Sequence, residues 1–399
     1  MEIFSKKLLL GGGSFLITDY YGTQFTAWYL TKKGELYGCG YGNYGQQGNG
    51  ESGNTNKVLT FTKRAINVKQ FSCSYNTTFY VTNDGDLYGC GDNSAGQQGS
   101  GDTNNVLIFT KRASNVKKVA CTVNQTWYLT NDGDLYGCGA NSAGQQGSGN
   151  TNNVLTFTKR ASNVKDFFPG TWYLTNSGDL YGCGQGFAGA QGSGNSNNVL
   201  NFTKRASNVK KFVASGSTTW YLTNSGDLYG TGNGSNGQQG NGSTSHVYTF
   251  TKRASNVKDF YCSTHTSWYI TNSDDLYGCG SNDQGQQGIG TSGASTHVKT
   301  FTKKLSNVKY ISASSNTTFY IDSNDDLYGC GYSLYGQQGR TGDMNSFGFC
   351  GSNVKSVIAE SCVTWYLTNK FELYGAGRGE HGQQGSGDTN NVSIFTKRR

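Results

Sequence analysis

Four histidines, His246, His265, His297 and His381, are all the imidazole this sequence offers for proton transfer. Cys262 and His265 stand close enough to suggest a thiol nucleophile with its base. Cys262 fills a place that holds alanine elsewhere, and His265 falls at a strand-joining turn, so the pair reads as structure. Asp84-Gly-Asp86 and Asp132-Gly-Asp134 look like pieces of a calcium loop. The full pattern with its closing glutamate is missing, and they read as hairpin turns. The Gly-x-Gly pieces precede no helix, so they do not cradle phosphate. The sequence therefore predicts no enzyme, no metal and no cofactor.

Two other constellations point to binding. Lys63-Arg64, Lys111-Arg112, Lys159-Arg160, Lys204-Arg205, Lys252-Arg253 and Lys303-Lys304 recur at one fixed place, and the net charge is +8. A ring of such pairs could meet nucleic acid or an acidic protein. The simpler reading, a solvated rim that blunts sheet edges, is preferred. The second constellation lies where recurring loops disagree. The loop before Gly-Gln-Gln-Gly is Asn-Ser-Ala in two copies, but one copy holds Tyr41 and Tyr44, another Tyr332, Leu334 and Tyr335, and the last Arg378, Glu380 and His381. Tyr and Arg dominate binding hot spots. Atypical terminal copies are also what a capped array requires. The three odd loops become neighbours only if the chain closes into a ring.

The elements that must position these residues are legible from the repeat. Leu-Tyr-Gly-x-Gly starts at Leu36, Leu87, Leu135, Leu180, Leu228, Leu276, Leu327 and Leu373, at intervals of 51, 48, 45, 48, 48, 51 and 46 residues. One copy shows the unit. Residues 115–121 read as a strand, and 126–130 as a second strand rich in aromatic and branched residues. Asn131-Asp-Gly133 is a turn, residues 135–139 return from it, and Val154-Leu-Thr-Phe-Thr158 gives a fourth strand. Four antiparallel strands per repeat make one propeller blade. No window shows a sustained helical period, so almost no helix is expected. Aromatic pairs such as Trp127-Tyr128 point to both faces of a strand, which suits sheets covered on both sides. Phe371 replaces the turn glycine in the last copy, and a turn of different shape is expected there.

Composition agrees with a folded β protein. Apolar residues make up 34%, aromatics 13% and charged residues 15%, with 59 glycines and the single proline Pro169. No apolar run is long enough for a membrane helix, and no membrane partner is expected. Residues 6–17 loosely resemble a signal peptide. Phe4-Ser-Lys-Lys-Leu8 matches Phe301-Thr-Lys-Lys-Leu305, so a strand and cytoplasmic synthesis are favoured. Nine of the eleven cysteines occupy two repeating slots that Ala or Thr fill in other copies, which predicts small buried free thiols.

The combination of Thr-x-x-Leu-Thr, Asn-Asp-Gly, Leu-Tyr-Gly-Cys-Gly and Gly-Gln-Gln-Gly resembles the regulator of chromosome condensation repeat family along the whole chain. The resemblance implies an all-β fold, a single closed β-propeller over residues 1–399. Members usually have seven blades. The eight copies here favour eight, with seven as the alternative. Gln47, Gln98 and Gln146 stand where the family carries Leu, and Cys-Gly where it carries Trp-Gly. The founding member is a guanine nucleotide exchange factor that docks on chromatin and uses an inserted β-wedge, for which the spacing here is too even. The near-identical copies look more like repeat proteins of bacteria and phages. Residues 2–7 and 393–398 carry the same strand type, so either end could complete the other's blade. The expected function is a non-enzymatic interaction or structural module, such as a virion or host-contact component, whose partner is another protein or a host-surface ligand. Nucleotide exchange and chromatin or DNA binding form the alternative, with nucleic acid not favoured.

Overall fold

The computed structural model describes residues 16–398. Eight antiparallel four-stranded sheets follow one another along the chain, each made of four consecutive strands, in residues 17–65, 68–113, 116–161, 164–206, 209–254, 257–305, 308–351 and 354–397. They are the eight blades of a β-propeller. Among the described residues there is no α-helix; two three-residue 3-10 turns occur at Phe187–Gly189 and Ala294–Thr296. Within a blade the first strand is innermost and the fourth forms the exposed rim.

Blade three (Val116–Cys121, Gln125–Thr130, Leu135–Gly139, Val154–Ala161) shows how the residues dictate this. The hairpin closes because Gly133 takes φ +84° and its amide reaches the Thr130 carbonyl at 3.2 Å. The link from the preceding blade turns at Asn115, φ +62°, a conformation that Asn tolerates. The next amide, of Val116, bonds the Gly85 carbonyl of blade two at 2.8 Å. Blades two to eight thus each begin tethered to the hairpin of the one before.

The recurring Gly in Leu-Tyr-Gly has a steric cause. Gly137 pairs with Trp127 on the adjacent strand, and a Cβ there would lie 2.8 Å from the indole ring. Trp127 packs on Val164, Phe167 and Tyr173 of blade four, whereas Tyr128 packs on Phe79, Val81 and Leu87 of blade two. The two aromatic faces therefore cover two different neighbours. Burying one Trp removes roughly 200 Å² from water, worth about 5 kcal/mol at about 25 cal/mol per Å².

The Gly-Gln-Gln-Gly loop explains itself at the blade junction. The second glutamine holds its own blade: Gln98 Nε2 donates to the Cys90 carbonyl at 2.8 Å, and Gln146 Nε2 to that of Cys138 at 2.9 Å. The first reaches the next blade: Gln46 Nε2 donates to the Tyr75 carbonyl at 3.2 Å, and Gln286 Nε2 to that of Ser315 at 3.1 Å. The first glutamine's own carbonyl accepts from the next blade's thiol, as in Cys90 Sγ to Gln46 O and Cys138 Sγ to Gln97 O, both 3.5 Å. Thr231, which replaces Cys in blade five, has two carbonyls within reach of its hydroxyl, Val247 O of its own blade at 2.8 Å and Gly189 O of blade four at 3.0 Å. The exchange of Cys for Thr thus keeps a donor in place.

Blade eight packs side by side on blade one. Ile17, Tyr20, Ala27 and Tyr29 share a core with Val363, Trp365, Leu367 and Leu373. Gln383 Nε2 donates to Gln24 O at 2.8 Å and Cys39 Sγ to Gln383 O at 3.6 Å, repeating the ordinary junction. The C-terminal strand Val392–Lys397 pairs inside its own blade, with Lys397 opposite Tyr374. Residues 2–7, the other candidate closing strand, lie outside the described residues.

The last hairpin corrects one expectation. Phe371 adopts φ +63°, and its amide bonds the Thr368 carbonyl at 2.9 Å, as Gly34 does to Thr31. The turn keeps the common shape. The Lys355 ammonium sits 4.1 Å from the centre of the Phe371 ring and rewards that conformation.

Two substitutions test the junction. Gly278→Ala, whose Cβ would lie 2.2 Å from the Trp268 ring, is expected to cost about 3 kcal/mol in urea unfolding. Cys138→Thr should be near neutral, whereas Cys138→Val, which leaves Gln97 O without its donor, should cost about 1 kcal/mol.

Candidate interaction surface at the ring seam

The loops joining first to second and third to fourth strands emerge on one face of the propeller; the hairpins and inter-blade links occupy the other. On the first face, blades seven, eight and one meet, and their atypical loops touch. The rings of Tyr332 and Tyr335 meet edge to face at 6.5 Å. Arg378 lies over Tyr335, 5.5 Å from the ring centre. It forms an ion pair with Glu380, whose carboxylate is also 3.1 Å from His381 Nε2. The His381 ring packs 4.9 Å from that of Tyr41 and 5.1 Å from that of Phe25. Phe25 in turn meets Tyr75 of blade two edge-on at 5.3 Å.

Six of the eight residues singled out from the sequence therefore fall in one line of contacts. Tyr44 and Leu334 sit beside that line. The Tyr44 amide bonds Gln46 Oε1 at 2.9 Å, and Leu334 is 64% exposed. The sequence reading missed Phe25 and Tyr75, which belong to the loops between first and second strands. A signal was present: Phe25 stands where Asn76, Asn124 and Asn316 recur.

The electrostatics of the seam follow from partial burial. Burial lowers the His381 pKa, with Glu380 opposing the shift, which favours a neutral imidazole. Burial raises the Tyr332 phenol. It also raises the Cys362 thiol, an effect that the nearby Arg378 partly offsets.

The basic pairs are organised differently from a free positive ring. The first residue of each pair bonds the acid that ends its own blade's hairpin: Lys63 with Glu35, Lys111 with Asp86 and Lys159 with Asp134 at 2.7 Å, Lys204 with Asp179 and Lys252 with Asp227 at 2.8 Å, and Lys303 with Asp275 at 2.9 Å. The hairpin acids thus offset the lysines on their own face. The partner residue is the extra one of a β-bulge: Tyr136 faces Lys159 and Leu135 faces Ala161, so Arg160 is left between registers. Burial lowers the pKa of Arg64, Arg112, Arg160, Arg205 and Arg253, and draws the Lys304 amine down to about 8.

The sequence-adjacent Cys262 and His265 point to different surroundings. Cys262 is buried with Val213, Trp220 and Leu222 at the blade five–six junction. Burial lowers the His265 pKa, and Asp283 and His297 lie near its ring. Among the described residues, no group of three or more His, Cys, Asp or Glu is placed to hold a metal ion.

The ion pairs set an acid limit on stability. Hydrogen bonds from the lysines hold Asp86, Asp134, Asp179, Asp227 and Asp275 below the usual carboxylate range. A depressed carboxylate stabilises the fold above its unfolded pKa, and that gain is lost as pH falls through the folded value. Urea midpoints should therefore hold from neutrality down to the ordinary aspartate range and fall below it. Because the pairs are solvent-exposed, salt should flatten the fall.

Residues 68–97 match the family model of the Regulator of chromosome condensation (RCC1) repeat. Over 71 residues, 17% of this chain and 7% of the relative, the sequence is 42% identical to the X-linked retinitis pigmentosa GTPase regulator of Homo sapiens. That match spans a small fraction of the relative's length. Among solved structures, the fold is similar to Prp20p of Saccharomyces cerevisiae, with TM-score 0.63, 17% identity and coverage of 93% of this chain and 87% of that one. It is also similar to human WBSCR16, with TM-score 0.56, 16% identity and coverage of 87% and 86%. Residues 68–97, which match that repeat, form the first three strands of blade two and run into its glutamine loop, and the Leu-Tyr-Gly hairpin returns in register in the other blades of the eight-bladed propeller.

Proposed function

We propose that this propeller is a protein-binding module with no chemistry of its own, and that it engages its partner through the seam of blades seven, eight and one. One observation carries the proposal: the unbroken line of contacts from Tyr332 through Arg378 and His381 to Tyr75, built from side chains that the other blades lack. Rigid aromatic rings beside Arg supply contact area at low entropic cost. The likeness to Prp20p, whose structure was described with its binding to Gsp1p and histones, supports a protein partner. The pairing of the rim lysines with hairpin acids argues against a nucleic-acid surface.

A finer form of the proposal places the module in a virion or at a host contact, after synthesis in the cytoplasm. The exposed Asn, Ser and Thr of the outer loops suit an adaptable polar surface of that kind. Mass spectrometry of purified particles that finds no peptide of this chain removes that setting.

The competing reading is nucleotide exchange on a small GTPase or binding to DNA. A nucleotide-release assay with Gsp1p, together with duplex DNA titrated across salt, separates the two; release, or a steep salt slope, would favour it. For the seam itself, Tyr332→Ser with Tyr335→Ser should abolish capture of the partners held by the unmodified chain and leave the melting temperature nearly unchanged. Capture that survives both substitutions would end the assignment.

A further inference from the structure

The hairpin acids neutralise the lysines of the basic pairs but leave the arginines beside them. In blades eight, one and two a loop acid compensates: the charge of Asp388 acts on Arg398, that of Glu51 on Arg64 and that of Asp102 on Arg112. Each of these acids follows the loop glycine that straps the outer strand of the next blade. Gly387 N bonds Leu59 O at 2.9 Å, Gly50 N bonds Leu107 O at 3.0 Å and Gly101 N bonds Leu155 O at 2.9 Å. Blades three, four and five keep the strap, from Gly149, Gly194 and Gly242, but follow it with Asn150, Asn195 and Ser243. Arg160, Arg205 and Arg253 therefore form no ion pair among the described residues, and each leaves Nε buried without a hydrogen-bond partner.

The exchange of Asp for Asn turns an acceptor into a donor. Asp102 Oδ1 accepts from Ser100 Oγ at 2.9 Å and from the Asn104 amide at 3.1 Å. Asn150 Oδ1 takes the same two bonds, from Ser148 Oγ at 3.3 Å and the Asn152 amide at 3.0 Å, and Asn195 Oδ1 accepts from the Asn197 amide at 2.9 Å. The loop turn thus engages Oδ1 in each blade. What remains is a carboxylate oxygen in blade two and an amide nitrogen in blades three and four. A guanidinium beside an amide N–H offers donors without an acceptor, which suits an incoming carboxylate.

The same arc carries exposed aromatic side chains. Phe187, 54% exposed, stands at the loop tip where blades two and three have Ser94 and Ser142. Tyr248, 40% exposed, stands where their outer strands have Leu107 and Leu155. His246 lies between the two, with ring centres 6.3 Å and 6.4 Å away. We propose that the outer rim of blades three to five docks an acidic segment of a partner protein, whose carboxylates enter successive blade junctions beside Arg160, Arg205 and Arg253 while an apolar side chain rests on Phe187 and Tyr248. The net charge of +8 draws such a segment in. Half-buried guanidiniums set one per blade match side-chain carboxylates on a flexible chain better than the closely spaced phosphates of a duplex. In an eight-bladed ring this arc lies across from the seam, and the assignment does not rest on the seam reading.

The test is fluorescence anisotropy of the full chain with a labelled polyglutamate peptide carrying a central tryptophan, beside its glutamine counterpart and a short duplex DNA. The unmodified chain should bind the acidic peptide saturably at low salt, more tightly than the duplex, and leave the glutamine peptide free. Arg160→Gln, Arg205→Gln and Arg253→Gln together should weaken binding at least about ten-fold, whereas Arg64→Gln, Arg112→Gln and Arg398→Gln, an equal loss of charge, should weaken it less than about two-fold. Asn150→Asp, Asn195→Asp and Ser243→Asp together keep every arginine and copy the acid that blades two and eight already hold, so this set should fold and should weaken binding as much as the first. Phe187→Ser should weaken it by a smaller factor. No saturable binding, equal losses from the two arginine sets, undiminished binding after the aspartate set or after Phe187→Ser, or tighter binding of the duplex overturns the proposal.

Discussion

The contact between one blade and the next governs this molecule. A single blade is a thin sheet with aromatic residues on both faces, and it cannot bury either alone. The junction solves this with few parts. Trp packs outward over a glycine, a glutamine side chain reaches a carbonyl of the following blade, and that blade's thiol returns a bond to the glutamine's own carbonyl. Each part is small, but most blades repeat it around the ring. An interruption at one junction would expose aromatic surface on two blades at once.

That constraint also explains which residues vary. Inside the junction, Thr231 in place of Cys keeps a donor, whereas Ala376 fills the same place in blade eight with a small buried side chain and no donor. Loop tips that point away from the junction are free to change. They change most in the blades at the two ends of the chain. Because blade eight packs on blade one, these residues from opposite ends of the sequence gather at one place on one face. The seam therefore combines ordinary packing beneath with unusual side chains above. Phe25 and Tyr75 extend it.

Much of the architecture was legible because the repeat is so regular. The hairpin phrase gave eight units, and its aromatic neighbours gave sheets covered on both sides. Some meanings stayed hidden. Nothing in the spacing of Gln97 and Gln98 says that one bonds its own blade and the other the next. Lys159 and Asp134 are twenty-five residues apart, and only the return of the fourth strand beside the third places them in one ion pair. Phe371 looked incompatible with the common turn, yet it adopts that turn, with Lys355 over its ring.

Local patterning by itself determined the strand type, the blade count and the small size required beneath each Trp, because these depend on alternation and on near neighbours along the chain. Only the tertiary structure decided which side chains meet across blades and which rim charges are neutralised. Those outcomes depend on the angle between successive sheets and on closure of the ring, which no short stretch of sequence encodes.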